Sequence, residues 1–217
     1  MFTAPPELLT GLTDFLNCVI SLAFCLWLRR FSSPAARPWR LAIGTLTVSN
    51  LIGGIVHTVA FPEIVDTVVW FVLTLILCAA VAMFCVCAAQ ERRDDLRGPA
   101  YRVFSILGAV FYAAIMISSF FYEDYIKIYV AYAAIFLIWA MVSFIHTAIK
   151  QKRYGLLLYA VGLFVQFPGG IVQAKRTLHF TLIWEIDYNT VYHFCLTVTM
   201  IILWIAYARM HKKETVA

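Results

Sequence analysis

Seven long runs of apolar residues, nearly free of charge, take up most of this 217-residue chain, and they leave it few ways to fold. They lie at Leu9–Leu28, Leu41–Phe61, Val68–Ala89, Val103–Phe121, Ile126–Ile149, Leu156–Val172 and Ile183–Ala208. Each is close to the roughly 20 residues that a helix needs to cross a bilayer. A soluble domain of this size could not hide so much apolar surface: 63% of the residues are hydrophobic, only 13% are charged, and the mean hydropathy is +0.84. The expected fold is therefore all-α: one multi-pass integral membrane domain over residues 1–217, built as a bundle of seven transmembrane helices. Pro168, Gly169 and Gly170 interrupt the sixth run.

The basic residues set the expected orientation, because loops rich in Lys and Arg resist translocation. Alternate connections carry Arg29, Arg30, Arg37 and Arg40, then Arg92, Arg93, Arg97 and Arg102, then Lys150, Lys152 and Arg153, and finally Arg209, Lys212 and Lys213. Only Lys127, Lys175 and Arg176 remain of the 17 basic residues, on a side that holds most of the acids. This predicts an N-terminus outside or in a lumen and a cytoplasmic C-terminus. The net charge of +5 is then a topology signal, and nucleic acid is not an expected partner, since no soluble face interleaves basic and aromatic residues. The segment before the first run lacks a basic leader, so the first helix is expected to stay in the protein. The six cysteines all fall within apolar runs without a CxxC pair and are read as packing residues. Trp27, Trp39, Trp70 and Trp184, near helix ends, are read as an interfacial belt. His146 and His211 are read as surface or interfacial residues near the cytoplasmic side.

A few polar residues inside the runs recur at helical spacing. Asp14, Asn17 and Ser21 form one stripe on the first helix, and Asn50, Gly53 and His57 repeat the spacing on the second. Gln166 and Gln173 share a face of the sixth, and Asn189 and His193 share a face of the seventh. With alternating helix directions, all of them come to similar depth near the outer surface. Ionisable groups at such depth are costly unless they meet partners or a metal, so they should converge on the bundle interior. Three arrangements satisfy that requirement. One is a hydrogen-bonded network that fixes helix packing. Another is a binding pocket or conduction path that uses the interrupted sixth helix. The third is a metal site of His57, His193 and Asp14, two imidazoles and a carboxylate that leave a fourth zinc position open. In that reading Asn17, Asn50 or Asn189 orients ligands or stabilises an oxyanion, and Tyr192 donates a hydrogen bond.

The segments TDFLNCVISLAF (13–24), NLIGGIVHTVAF (50–61) and IDYNTVYHF (186–194) resemble those of a family of small seven-helix membrane proteins. That family carries Thr-Asp in helix one, Gly-Gly-x-x-His in helix two and an Asn-Asp-x-Tyr-His-type sequence opening helix seven. Here these are Thr13 and Asp14; Gly53, Gly54 and His57; and Asn189, Tyr192 and His193. The family in turn is similar to the CREST superfamily of alkaline ceramidases, adiponectin and progestin receptors and GPI-lipid remodelling proteins. The resemblance implies an intramembrane zinc held by one histidine of helix two and two of helix seven, beside a Ser and an Asp. Three positions depart from that pattern. Tyr188 stands where relatives tend to place the second helix-seven histidine, Thr190 replaces the acid of the Asn-Asp pair, and Gly53 occupies the position that ceramidases fill with Ser. His179, Asp187 or Asp14 would then supply the third ligand.

The expected function is zinc-dependent hydrolysis of an amide or ester bond in a membrane lipid. His57, His193 and Asp14, with His179 as a further candidate, would hold the metal, and Asp14, Asn189 and Tyr192 would serve the chemistry. The alternative is a pocket that binds or passes a lipid or small solute without metal. Retinal chemistry is excluded, because no lysine lies between Ile183 and Ala208 to form a Schiff base.

Overall fold

The computed structural model describes residues 5–92, 106, 108–115, 117–118 and 125–212. Among them, six helical segments are long and apolar enough to cross a membrane, which makes this an integral membrane protein by length and composition. Helix α1 is Pro5–Trp27, α2 is Ala36–Thr58, α3 is Glu63–Arg92 and α4 is Tyr125–Lys150. The next span is made of two pieces, α5 (Leu157–Phe164) and α6 (Gln166–Lys175), and α7 is Tyr188–Met210. Of the expected span at 103–121, positions 106, 108–115 and 117–118 are described, and all of these are helical.

The helices wear their apolar side outward. On α1, Leu12, Leu16, Val19, Leu22 and Leu26 are exposed, whereas Thr10, Thr13, Asp14, Asn17 and Ser21 are buried. Phe194, Val198, Ile201 and Ile205 form the same outward stripe on α7. This inverts the pattern of a soluble amphipathic helix and suits lipid as the outer solvent. The described spans close into a ring in which α1 packs on α2, α2 on α3, α3 on α4, α4 on α5 and α6, those two on α7, and α7 back on α1. Pro5 and Pro6 open α1, where a missing N–H goes unused.

Three differences from the sequence expectation stand out. Helix α7 begins at Tyr188, not Ile183, because the chain first turns through an antiparallel hairpin that pairs His179–Thr181 with Glu185–Asp187. Its apolar tip, with Ile183 86% and Trp184 68% exposed, looks like helix in composition but sits outside the ring. Asp187 ends the hairpin and caps α7 by accepting a hydrogen bond from the Thr190 amide at 2.8 Å. The interruption in the sixth span falls at Val165, N-terminal to the prolyl ring. Pro168 cannot donate to the Phe164 carbonyl four residues back, so the helix breaks there and resumes as α6. Finally, α2 starts at Ala36, five residues before its apolar run, and takes in Arg37 and Arg40.

The end of the bundle that carries the basic residues is filled by rings. Trp39 stacks on Tyr159 at 4.6 Å and on Phe144 at 6.2 Å, while Phe84 and Tyr207 meet it edge-on. Phe24, Trp27, Phe31 and Trp204 continue the cluster. Trp39 is fully buried, Trp27 packs on Phe31 and Trp204, and Trp70 lies against His57; of the expected belt, only Trp184 is strongly exposed. Below this block, Glu91 accepts a hydrogen bond from Arg153 at 2.8 Å and lies 3.0 Å from His211 Nε2. His211 is therefore no surface residue. It is buried and stacked on Tyr207, clamping the end of α7 to α3. His146 is exposed.

Candidate metal centre

At the other end of the ring, α1, α2 and α7 approach closely, and small residues make this possible. A methyl group added to Gly11 would press on Thr58 and lie 3.0 Å from the Gly54 carbonyl, and one added to Gly54 would lie 2.7 Å from the ring of Phe15. Gly53 has a more specific part: its missing side chain is the space that the Asp14 carboxylate occupies.

Asp14, His57 and His193 are thereby brought together. One ligand atom from each lies within 4.8 Å of the others, and the three residues are only 5%, 7% and 6% exposed. Asp14 Oδ1 is 3.1 Å from His193 Nδ1, and Thr13 Oγ1 is 3.4 Å from the same nitrogen. Two donors, each about 2.0–2.1 Å from a tetrahedral zinc, stand a little over 3 Å apart, so the Asp14–His193 spacing suits a shared ion. Without an ion, the same contact is a hydrogen bond from the imidazole to the carboxylate. His57 completes the set from α2, its ring 5.8 Å from that of His193 and edge-on to Trp70 at 5.1 Å.

Neighbouring polar groups hold these side chains in place. Asn17 donates to the His193 carbonyl at 3.0 Å and accepts from Thr197 at 2.6 Å, which ties α1 to α7 directly beneath the site. Thr10 donates to Asp187 at 3.1 Å and lies 2.9 Å from Thr190 Oγ1, fastening the start of α7. From α6, Gln173 donates to Asn189 at 3.3 Å and Gln166 to Thr199 at 2.7 Å. Thr10, Thr197 and Thr199 were not singled out by sequence, although Thr10 precedes Asp14 by one helical turn and so shares its face.

The three residues face a cavity of about 1050 Å³ that is also lined by Asn50, Gln173, Tyr188, Asn189 and Tyr192. Tyr129 lines the same cavity. Of the further ligand candidates, His179 lies in the exposed hairpin, edge-on to Tyr188 at 5.7 Å, and does not join the cluster. Asp187 is engaged as the helix cap. The available set is thus two imidazoles and one carboxylate, not three histidines.

No curated protein and no solved structure matches the chain. One family profile does, and it spans residues 9–212, from the first helix to the last. The chain belongs to that family, DUF6962, a family of unknown function.

Proposed function

We propose that this protein is an intramembrane metal-dependent hydrolase that cleaves an amide or ester bond of a lipid, with His57, His193 and Asp14 as the metal ligands. One observation carries the reading: three buried metal-ligand side chains from three helices converge on the wall of a large cavity. A bound zinc ion would supply a Lewis acid and a water acidic enough to act near neutral pH. The choice of zinc and of an amide or ester bond rests on the motifs that resemble the CREST enzymes. Asn17 and Thr13 hold His193, Gly53 seats Asp14, and Asn189 and Tyr192 face the space where a scissile group would lie. The distribution of basic residues supports seven spans with the site near the outer or lumenal surface.

A second reading keeps the cavity and omits the metal. The 3.1 Å contact between Asp14 and His193 favours it, because the pair satisfies itself without an ion. Conduction through the bundle is the weaker version, because the aromatic block around Trp39 fills the far end. The test is metal content of protein purified in detergent without chelator. About one zinc per chain is expected, lost in His57→Ala and in His193→Ala, together with chelator-sensitive release of fatty acid from a fluorescent N-acyl lipid. A wild-type protein that carries no metal, and takes up none when zinc is supplied, would leave the metal-free pocket as the function.

A further inference from the structure

The three asparagines of the polar stripes are not equivalent. Asn17 is engaged at both ends of its amide, and Asn189 is engaged by Gln173. Asn50 lines the cavity, is only 3% exposed, and its Nδ2 has no hydrogen-bond partner among the described residues. An amide buried without a partner is costly, and proteins keep such groups mainly where something else is meant to satisfy them.

Its position says what that something is. Asn50 precedes His57 by seven residues on α2, so both face the same way about 10 Å apart along the helix axis. One turn deeper, Leu46 opens a second, narrower cavity of about 120 Å³, lined by Val81, Phe84, Val130, Leu137 and Leu163. The two cavities share Leu77, Tyr129, Gln173, Tyr192 and Leu196 as walls, so the small one continues the large one inward. Read from the outside, the lining runs from Asp14, His57 and His193, past the unpartnered Asn50 amide, into a mainly apolar end.

We infer that Asn50 is a second recognition point, and that the ligand is an amphiphile with a single apolar tail that carries a hydrogen-bond acceptor, a carbonyl or hydroxyl oxygen, about 10 Å from the group at the metal ligands. The inference rests on the cavity being the ligand site proposed above, but not on a metal being there. A plain tail would leave the Asn50 amide dry and unpaired, and a tail oxygen at that depth pairs it. Gln173 and Tyr192, which border both cavities, fix the level at which the tail passes from the wide chamber to the narrow one.

The probes are 9-oxo-octadecanoic acid, octadecanoic acid and the 4-oxo and 14-oxo isomers, titrated into the full-length protein in detergent by calorimetry. Wild type should prefer the 9-oxo acid over the plain acid by about tenfold, a ratio typical of one hydrogen bond to a buried amide. The 4-oxo and 14-oxo isomers should not share the preference, and Asn50→Leu should abolish it while zinc content stays at the wild-type level. Equal affinities in wild type, a preference that survives Asn50→Leu, or no binding of any probe would overturn the inference. The isomer comparison uses wild-type protein alone and so does not depend on a variant folding. Should chelation and metal analysis reveal no metal while the 9-oxo preference persists, the hydrolase reading falls and this one stands.

Discussion

Replacing Gly53 with alanine tests the proposed metal centre without altering any of the three candidate ligands. The new methyl group would collide with Asp14 Oδ2 and lie only 3.0 Å from Asp14 Cγ and 3.4 Å from Oδ1. Ordinary contact of this kind begins near 3.4 Å, so the carboxylate must retreat by about half an ångström or more. A zinc–oxygen bond of about 2.0–2.2 Å tolerates only about 0.2 Å. The displacement would therefore cost the proposed site one of its three ligands and strain the 3.1 Å pairing of Asp14 with His193. Loss of a group that merely positions a ligand lowers metal affinity about 10- to 100-fold, or about 1.4–2.7 kcal/mol. The assay is a competition titration with a zinc chelator, run beside thermal unfolding. Gly54→Ala is the control: its methyl group would meet the Phe15 ring at 2.7 Å and should cost about 1–3 kcal/mol of stability by overpacking, with zinc affinity kept. If Gly53→Ala bound zinc as wild type does, or if both variants lost affinity equally, the argument that Gly53 exists to seat Asp14 would be wrong.

Three further outcomes are expected. Asn17→Ala removes the bond to the His193 carbonyl and the acceptor of Thr197, and should lower stability in detergent by about 1–2 kcal/mol, read as a fall in melting temperature; an unchanged melting curve would remove Asn17 as the tie between α1 and α7. Glu91→Gln keeps the shape but removes the carboxylate shared by Arg153 and His211, and should cost about 1–3 kcal/mol while zinc content stays the same, since this clamp lies at the opposite end of the bundle. Acidification should release the metal: protons compete for the same lone pairs on two imidazoles and a carboxylate, so retention after dialysis falls as pH is lowered and recovers as it is raised. Retention that did not change with pH would argue against these ligands.

Apolar runs and spacing made much of this legible. Asp14, His57 and His193 could be placed at one depth from helix direction and the 3.6-residue period alone, and the structure brings them together. The role of Gly53 was hidden, because nothing in a Gly-Gly pair says that a carboxylate of another helix fills the missing volume. Ile183 and Trp184 misled the eye: interfacial and transmembrane residues share one apolar chemistry, and only the pairing of Phe180 with Ile186 shows a hairpin there. His211 and Trp39 sit near helix ends in the sequence, where a surface role is the common one. Their burial depends on Glu91 and Tyr159, partners 120 residues away in each case, which no local pattern reveals.

The packed rings around Trp39 also bear on turnover. With that end filled, a ligand in the chamber cannot pass straight through the bundle, and a spent ligand must clear the chamber before its successor can occupy it. The hydrolase proposed above would be slowed by its own product, and the more so the longer and more apolar the tail that has to be withdrawn.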